Sequence, residues 1–272
     1  MDQTPSLSTL AIDGHVHIYK PYDWTDAVSA LITNLSAAIL SSDSRQHVII
    51  GLLAESKSGQ FYKDVISRGS PLTKGSFQLE AGPDADSLLI RESGIIRGYL
   101  IAGRQVVTLE KLEVLALGKD VSISNGQPLK ATIQAITAQG AVPVLSWSPG
   151  KWFFGRGKLV ANLIATTPSD NFLIGDIGLR PTVWPVPRLM SLASWRGFKI
   201  IGGSDSLPLP GEERWIGKNG VQVTGSFNPL KPAASIRSIL LNPDSIYTPL
   251  GKRCPLMAFV SRWGRNQLRP QE

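Results

Sequence analysis

The sequence is poor in the residues from which many small scaffolds and metal sites are built. Its 272 residues include one cysteine, Cys254, and three histidines. A single cysteine excludes an internal disulfide framework and a cysteine-rich zinc site. Charged residues make up 18% of the chain and hydrophobic residues 42%. This balance is typical of a globular protein and excludes extensive disorder.

Long apolar stretches and nucleotide-binding fingerprints are also missing. The longest apolar runs are about half of the roughly 20 residues that a membrane helix needs, so we expect no transmembrane segment. The first five residues carry no basic stretch before an apolar core, which argues against a signal peptide. Together these features predict a cytoplasmic protein. No G-x-G-x-x-G or G-x-x-x-x-G-K-[ST] motif opens a helix, which argues against a nucleotide-binding sheet.

The surplus of positive charge belongs to the second half of the chain. Residues 1–136 hold 12 basic and 14 acidic groups, whereas residues 137–272 hold 16 and 7. A basic half can serve an anionic substrate, nucleic acid or an acidic membrane surface, or can simply be a soluble face. Because no nucleic-acid-binding module is recognisable, an anionic small molecule is the favoured partner and nucleic acid the less favoured one. The oligomeric state is left open.

Apolar strands alternate with segments of helical periodicity along most of the chain. Strands are predicted at 9–19, 47–54, 112–117, 141–147, 172–177 and 199–204, and helices at 24–40, 61–68, 129–139, 158–165, 188–195 and 233–241. Such alternation favours a parallel sheet with crossover helices. The length and the number of strands predict an α/β fold, a distorted TIM-like (β/α) barrel of seven or eight strands, in a single domain over 1–272.

Two segments depart from this alternation. Residues 76–108 contain three short extended runs separated by turn residues, which predicts a small antiparallel β meander inserted in the barrel. In it, Arg104 and Gln105 are candidates to face the site. Residues 206–272 form a C-terminal extension with a basic stretch from Lys252 to Arg269. There Phe259, Arg262 and Trp263 fall at helical spacing, so we expect the aromatic rings to dock while the charges stay in water.

The first strand carries the clearest chemical motif, Asp13-Gly14-His15-Val16-His17. Side chains two apart on a strand point the same way, so Asp13, His15 and His17 share one face. Imidazole and carboxylate are the ligands that Zn, Mn and Fe prefer. The motif therefore predicts a divalent metal site whose ion is one of these. The alternative is a surface strand with exposed histidines.

Three further acids lie at or near strand ends. Glu113 is the sole acid of its apolar strand, so it needs a metal or a basic partner if it is buried. Asp176 and Asp205 each follow an apolar run where a parallel strand gives way to a loop. There a carboxylate can bind metal or act as a general base. We therefore predict Glu113 and Asp205 as metal ligands, and Asp205 and Asp176 as catalytic. Glu212 and Glu213 are interpreted as a solvated acidic turn.

Basic residues in the second half are candidates to bind an anion. Lys151 and Arg156 lie in a glycine-rich loop after the fourth predicted strand, and Arg180 follows the next strand. Glycines let backbone N–H groups approach an anion, and Lys or Arg neutralises it. These three residues are the predicted substrate-binding set. The alternative is a flexible basic loop without a ligand.

The motifs, taken in order, resemble the polymerase-and-histidinol-phosphatase (PHP) superfamily and, more broadly, the amidohydrolase barrels. Residues 13–17 resemble the opening D-x-H-x-H motif, and Glu113 is similar to the mid-chain glutamate of the family. Residues 140–145 resemble the strand that leads into a family histidine, and residues 203–205 resemble the start of G-S-D-x-H. The resemblance covers most of residues 10–213. It implies a distorted barrel and metal-dependent hydrolysis, often of phosphate esters.

Two family histidines are absent from this sequence. Where the family has His-Pro, this chain has residues 146–149, Ser-Trp-Ser-Pro, and Ser206 follows Asp205 where a histidine is expected. The remaining ligands could hold one metal ion with an open position, or two ions poorly. Two hypotheses follow. The first is a metal-dependent hydrolase that acts on a phosphoester or another small anion through an activated water. The alternative is a catalytically degenerate PHP-like barrel that binds a ligand or partner.

Overall fold

The chain folds into two β-sheets, with helices packed on their outer faces and one helix packed against the apolar cluster between them. The computed structural model describes residues 6–39, 47–56 and 59–268, so Arg269 of the predicted basic stretch lies outside the described residues. Within them the strands are β1 Ser6–Val16, β2 His47–Leu53, β3 Leu72–Lys74, β4 Phe77–Ala81, β5 Ser87–Glu92, β6 Ile95–Ile101, β7 Gly103–Val107, β8 Glu113–Leu117, β9 Val142–Ser146, β10 Leu173–Ile177, β11 Ile200–Gly203, β12 Asn219–Phe227 and β13 Thr248–Gly251. The helices are α1 Trp24–Ala38, α2 Phe61–Ser67, α3 Leu129–Ala138, α4 Phe154–Thr166, α5 Arg188–Trp195, α6 Pro232–Leu241 and α7 Leu256–Gln267.

Hydrogen bonding divides the strands into an eight-stranded and a five-stranded sheet. The first has the order β13-β12-β1-β2-β6-β5-β4-β3 and the second β11-β10-β9-β8-β7. Parallel pairing joins β1 to β2 and β2 to β6, and also β9 to β10 and β10 to β11. The other pairs are antiparallel, including both neighbours of β8. Each sheet is therefore mixed.

The predicted TIM-like barrel is wrong, because the two sheets do not close on each other. Closure would require β1 to pair with β11, but β2 and β12 occupy the two edges of β1. Likewise β5 and β2 occupy both edges of β6 and leave none for β7. In the described part of the chain, one isolated parallel bridge, from Glu55 to Arg104, lies outside these pairings. The prediction of a parallel sheet is also wrong, because each sheet contains antiparallel pairs, such as β1 with β12 and β8 with both of its neighbours.

Local patterns located most elements correctly. The helices predicted at 24–40, 129–139 and 188–195 correspond to α1, α3 and α5. Asp23 caps α1, since its carboxylate accepts the N–H of Thr25. The antiparallel meander exists as β4, β5 and β6, but it continues the eight-stranded sheet and is no insertion on a barrel. Its predicted third run also contains β7, which pairs with β8 in the five-stranded sheet.

Apolar side chains fill three layers. The space between the sheets is packed by residues of both, including Leu10 and Ile12 of β1 and Leu173 of β10. Outside the five-stranded sheet, a second cluster packs against α3, α4 and α5. Outside the eight-stranded sheet, a third packs against α1 and α2. None of the helices among the described residues is long and apolar enough to cross a membrane.

The two sheets approach each other closely where β1 passes β11. A Cβ on Gly203 would lie 2.4 Å from the Cβ of His15, and one on Gly14 would lie 2.6 Å from Cγ1 of Ile201. Only glycine permits backbones to approach this closely. The carboxyl ends of β1 and β11 therefore lie side by side, and the predicted site residues of both strands meet there.

Candidate metal centre

His15, His17 and Asp205 converge at the carboxyl ends of β1 and β11. The Nε2 atoms of the two histidines lie 3.0 Å apart. Asp205 Oδ1 lies 3.5 Å from Nε2 of His15 and 3.4 Å from Nε2 of His17. Both histidines are buried, and these three side chains could hold a metal ion together.

The loop after β11 is held on β1 by backbone hydrogen bonds. The N–H of Asp205 donates to the carbonyl of His15 at 2.9 Å, and the Ser204 hydroxyl donates to the same carbonyl at 3.2 Å. Asp205 adopts a left-handed backbone with φ of 44°, a conformation that aspartate tolerates better than most residues. These bonds and this turn direct the Asp205 carboxylate at the two imidazoles.

The spacing of the three ligand atoms suits a metal ion. A tetrahedral zinc site with bonds of about 2.0–2.1 Å places its ligand atoms about 3.3 Å apart. The three edges here measure 3.0, 3.4 and 3.5 Å. The amide oxygen of Gln105 on β7 lies 3.1 Å from His15 Nε2 and adds another acceptor. Neutral imidazole, carboxylate and amide offer more lone pairs at this point than protons, so a cation satisfies them best.

The ionisation of the triad also suits a metal. Burial lowers the pKa of His15, which favours the neutral imidazole with a lone pair to donate. Burial opposes ionisation of Asp205, but the adjacent His15 and His17 outweigh it and hold its pKa at about 2. The site therefore presents a carboxylate and at least one neutral imidazole at neutral pH, the forms in which these side chains bind metals.

The structure places Asp13 beside this triad, with its carboxylate bound to the backbone. Oδ1 accepts the N–H groups of His15 and Ser204 at 3.1 and 2.8 Å, and Oδ2 accepts the N–H of Gly217 at 2.7 Å. Burial raises its pKa to about 6, although these three donors favour the ionised form. Asp13 thus ties β1 to the loops that follow β11.

Glu113 lies nearby at the start of β8 and has two partners. Its carboxylate accepts the Ser148 hydroxyl at 3.2 Å and forms an ion pair with the Lys151 ammonium at 3.2 Å. Its charge favours the protonated form of His15, which indicates proximity. Glu113 is not a member of the triad of His15, His17 and Asp205. Lys151 is linked to the triad by its ion pair with Glu113.

Asp176 and Arg180 are engaged with each other. The guanidinium donates to both carboxylate oxygens, at 2.8 and 2.5 Å. Its Nη1 also donates to the backbone carbonyls of Trp184 and Pro185, at 3.0 and 3.3 Å. The pair fixes the loop that follows β10. Arg156 donates to the carbonyl of Gly150 at 2.8 Å.

The sequence-based prediction of the C-terminal segment was wrong in two respects. Glu212 is fully buried, and so is Arg262 of α7 apart from 3% of its surface. The Arg262 Nε donates to Glu212 Oε2 at 2.8 Å, and the guanidinium lies 4.2 Å above the ring of Trp215. The pairing joins residues that are 50 apart in the chain, so neither local charge nor spacing reveals it. For Gln105 the sequence contained only a weak indication that it faces the site, namely its position in a predicted extended segment.

Comparisons with known proteins establish the fold alone. No protein-family model matches the sequence, and neither does any curated protein. A crystal structure of PsfC from Pseudomonas syringae PB-5123 is similar, with a TM-score of 0.58 and 14% identity. The match covers 96% of this chain and 100% of PsfC.

Proposed function

We propose that this protein is a metal-dependent hydrolase that holds one divalent ion, Zn, Mn or Fe, with His15, His17 and Asp205. The observation that carries the proposal is the convergence of three ligand atoms within 4.8 Å of one another in a buried site. An imidazole, imidazole and carboxylate set is common in catalytic metal sites that keep one position open.

A bound divalent ion supplies a nucleophilic water near neutral pH and polarises the oxygen of the bond to be cleaved. The protein contributes the orientation of the ligands. Ser204 and Asp205 fix the carbonyl of His15, and Asp13 fixes its N–H, so the strand cannot rotate away. Asp205 also carries the role of general base in this proposal, because Arg180 already engages both oxygens of Asp176.

A small anion such as a phosphoester is the substrate class that the charges favour. Lys151 pairs with Glu113, whose charge acts on His15, and its side chain is 31% exposed. Its ammonium can turn from Glu113 toward an anionic group, where a charge-assisted hydrogen bond is about twice as strong as a neutral one. Arg156 lies in the same loop. Arg180 contributes indirectly, by holding the loop after β10.

Metal-dependent phosphoester hydrolysis is also what the resemblance to the PHP superfamily implies. This resemblance rests on the order of the motifs, from residues 13–17 through Glu113 to residues 203–205. A ligand- or partner-binding protein without catalysis is the second candidate. It is favoured by the partners of Glu113 and Asp176, since ion pairs occupy two carboxylates that a larger metal site would use.

Hydrolysis of chromogenic phosphate esters tests the proposal. The metal-free protein is supplied with Mn²⁺, Zn²⁺ or Fe²⁺, and turnover of p-nitrophenyl phosphate and bis(p-nitrophenyl) phosphate is measured. We expect ion-dependent turnover that falls to background in His17→Ala and persists in His47→Ala, which changes a histidine outside the triad. Lys151→Met should raise KM about tenfold, the loss expected for one ion pair to the substrate.

Two results would contradict the proposal in different ways. Metal binding without turnover of either ester would favour the binding protein over the phosphoesterase. Turnover that is equal in the wild type and in His17→Ala would show that the triad is not the catalytic site. In each case, circular dichroism of the variants excludes misfolding as the cause.

A further inference from the structure

Helix α7 packs on the protein through Phe259 and Arg262 and turns a second apolar side outward. Its one buried residue is Arg262, which is paired with Glu212. The opposite side of the helix exposes Leu256, Val260 and Met257, the last to 79%. An amphipathic helix on a globular protein normally buries its apolar side and exposes its charges. The outward apolar arc is therefore available to something outside the chain.

This arc continues onto the neighbouring loops through a series of ring contacts. The ring of Trp263, itself half-exposed, stacks on Phe259 at 6.4 Å, and Phe259 meets Trp184 edge to face at 6.5 Å. Trp184 in turn lines a cavity of about 350 Å³ together with Phe153 and Val186. We call the exposed apolar side chains of α7 and of these neighbouring loops the apolar rim. Its exposed members are Phe153, Phe154, Val183, Val186, Leu256, Met257, Val260 and Trp263.

Phe154 is held in an unfavourable conformation at the edge of the rim. Its side chain is 93% exposed, and its backbone has a φ of 54°. A bulky residue in the left-handed region is uncommon, and exposing a phenyl ring to water gains nothing for folding. Strain of this kind is concentrated at sites of function, where the conformation displays a side chain.

The chain around the rim is basic and nearly free of acids. No acidic residue occurs in 121–169, 177–204 or 245–271. Several cations lie close to the rim. Arg188 lines the same cavity as Phe153, Arg253 donates to the carbonyl of Trp184, and Lys158 is an exposed residue of α4. The rim is thus an apolar patch within a positive surround.

We propose that the apolar rim is a docking surface for an anionic lipid bilayer. Aromatic and aliphatic side chains enter the boundary between headgroups and acyl chains, while lysines and arginines attract the headgroups. A second copy of this chain is disfavoured, because it would bring like charges together. Single-stranded nucleic acid is disfavoured because half of the exposed rim is aliphatic, whereas bases stack on aromatic rings.

The rim lies at the same end of the molecule as the metal centre. The loop that carries Trp184 is anchored by Arg180 to Asp176, at the carboxyl end of β10. Docking would therefore turn this end of the molecule toward the membrane. The proposal does not depend on the hydrolase activity, since it concerns side chains that are not part of the triad.

Vesicle binding tests the proposal. The full-length protein is sedimented with vesicles of phosphatidylcholine, with and without phosphatidylglycerol, at low and high salt. We expect binding to the anionic vesicles alone, a blue shift of tryptophan emission, and release at high salt. Phe154→Ser and the double variant Met257→Ser/Val260→Ser should each weaken partitioning about tenfold or more, because each loses apolar surface that the bilayer would bury.

Ile246→Ser provides the matched control. Ile246 is 79% exposed, as is Met257, and its neighbour Tyr247 lies against Lys199 at the opposite, amino end of β11. This control should bind as the wild type does. Failure of the wild type to bind anionic vesicles would overturn the proposal, as would equal binding by the rim variants. So would a dimer in solution that the double variant dissociates, or single-stranded DNA that displaces the protein from vesicles.

Discussion

Nε2 of His15 and Nε2 of His17 lie 3.0 Å apart, close enough to share a single proton or a single metal ion. The carboxylate of Asp205 and the amide oxygen of Gln105 are directed at the same point, and both are acceptors. Between a shared proton and a shared cation, the cation satisfies more of these lone pairs.

Asp13 should be essential for the position of the histidines. In Asp13→Asn, the amide can accept with one oxygen while its NH₂ group opposes a backbone N–H that the carboxylate now satisfies. We expect the free energy of unfolding to fall by about 1–3 kcal/mol, as for a buried donor left unsatisfied, and metal affinity to fall with it. Urea denaturation measures the first effect. Asp170→Asn, at an exposed turn, should change neither quantity. Wild-type stability and metal affinity in Asp13→Asn would contradict the role assigned to Asp13.

Gly203 should tolerate no side chain. A Cβ at this position would lie 2.4 Å from Cβ and 2.5 Å from the backbone nitrogen of His15. Gly203→Ala must push β11 away from β1, at a cost of about 1–3 kcal/mol typical of overpacking. We expect thermal unfolding at lower temperature and weaker metal binding. Gly155→Ala, where the added Cβ meets nothing within 4 Å, is the control. Wild-type metal affinity in Gly203→Ala would contradict the close contact.

The buried pair of Glu212 and Arg262 should show strong energetic coupling. Arg262→Met leaves the Glu212 carboxylate buried without its cation, a change that typically costs about 3–5 kcal/mol. Replacing both partners, as Glu212→Leu/Arg262→Met, removes the unpaired charge and should restore much of the lost stability. The double-mutant cycle is measured by chemical denaturation. A double variant whose destabilisation equals the sum of those of Glu212→Leu and Arg262→Met would show that the pair contributes no coupling.

Metal affinity should depend on pH in the direction that the shifted pKa values require. Burial lowers the pKa of His15 below its ordinary 6.5, and that of Asp205 is held at about 2. Protons therefore compete with metal at His15 only below pH 6.5, and affinity should rise with pH and level off near neutrality. Titrations from about pH 5 to about pH 8 measure this dependence across the usual range of histidine. Affinity that keeps rising well above neutrality would contradict a lowered pKa.

The elements and the three candidate ligands of the triad could be predicted from the sequence because their signals are local, whereas Asp13 and Glu113, also predicted as ligands, lie outside the triad. Apolar runs that end in Asp205 or contain His15 mark strands and their carboxyl ends, and helical periodicity marks α1, α3 and α5. Which strands become neighbours depends on distant segments. Residues 219–227 were missed as a strand, yet β12 occupies the edge of β1 that a closed barrel would need.

The partners of charged side chains could not be predicted from the local sequence either. Arg180 and Asp176 are four apart, but whether they pair or face a ligand depends on how the loop after β10 folds back. Arg262 was expected in water because most arginines are exposed. Its burial depends on the ion pair with Glu212, a residue 50 positions away in the chain. A local sequence pattern does not show that these two residues meet.

Metal content measured by mass spectrometry, together with titration of the metal-free protein, is the sharpest test of the metal site. We expect one Zn²⁺, Mn²⁺ or Fe²⁺ ion per chain in the wild type and in His47→Ala. We expect none in His15→Ala or His17→Ala, although both variants remain folded. A wild-type protein that neither retains metal when purified without chelator nor binds any of these ions when they are added would contradict the proposed metal site. Stoichiometric binding that survives loss of both His15 and His17 would do the same.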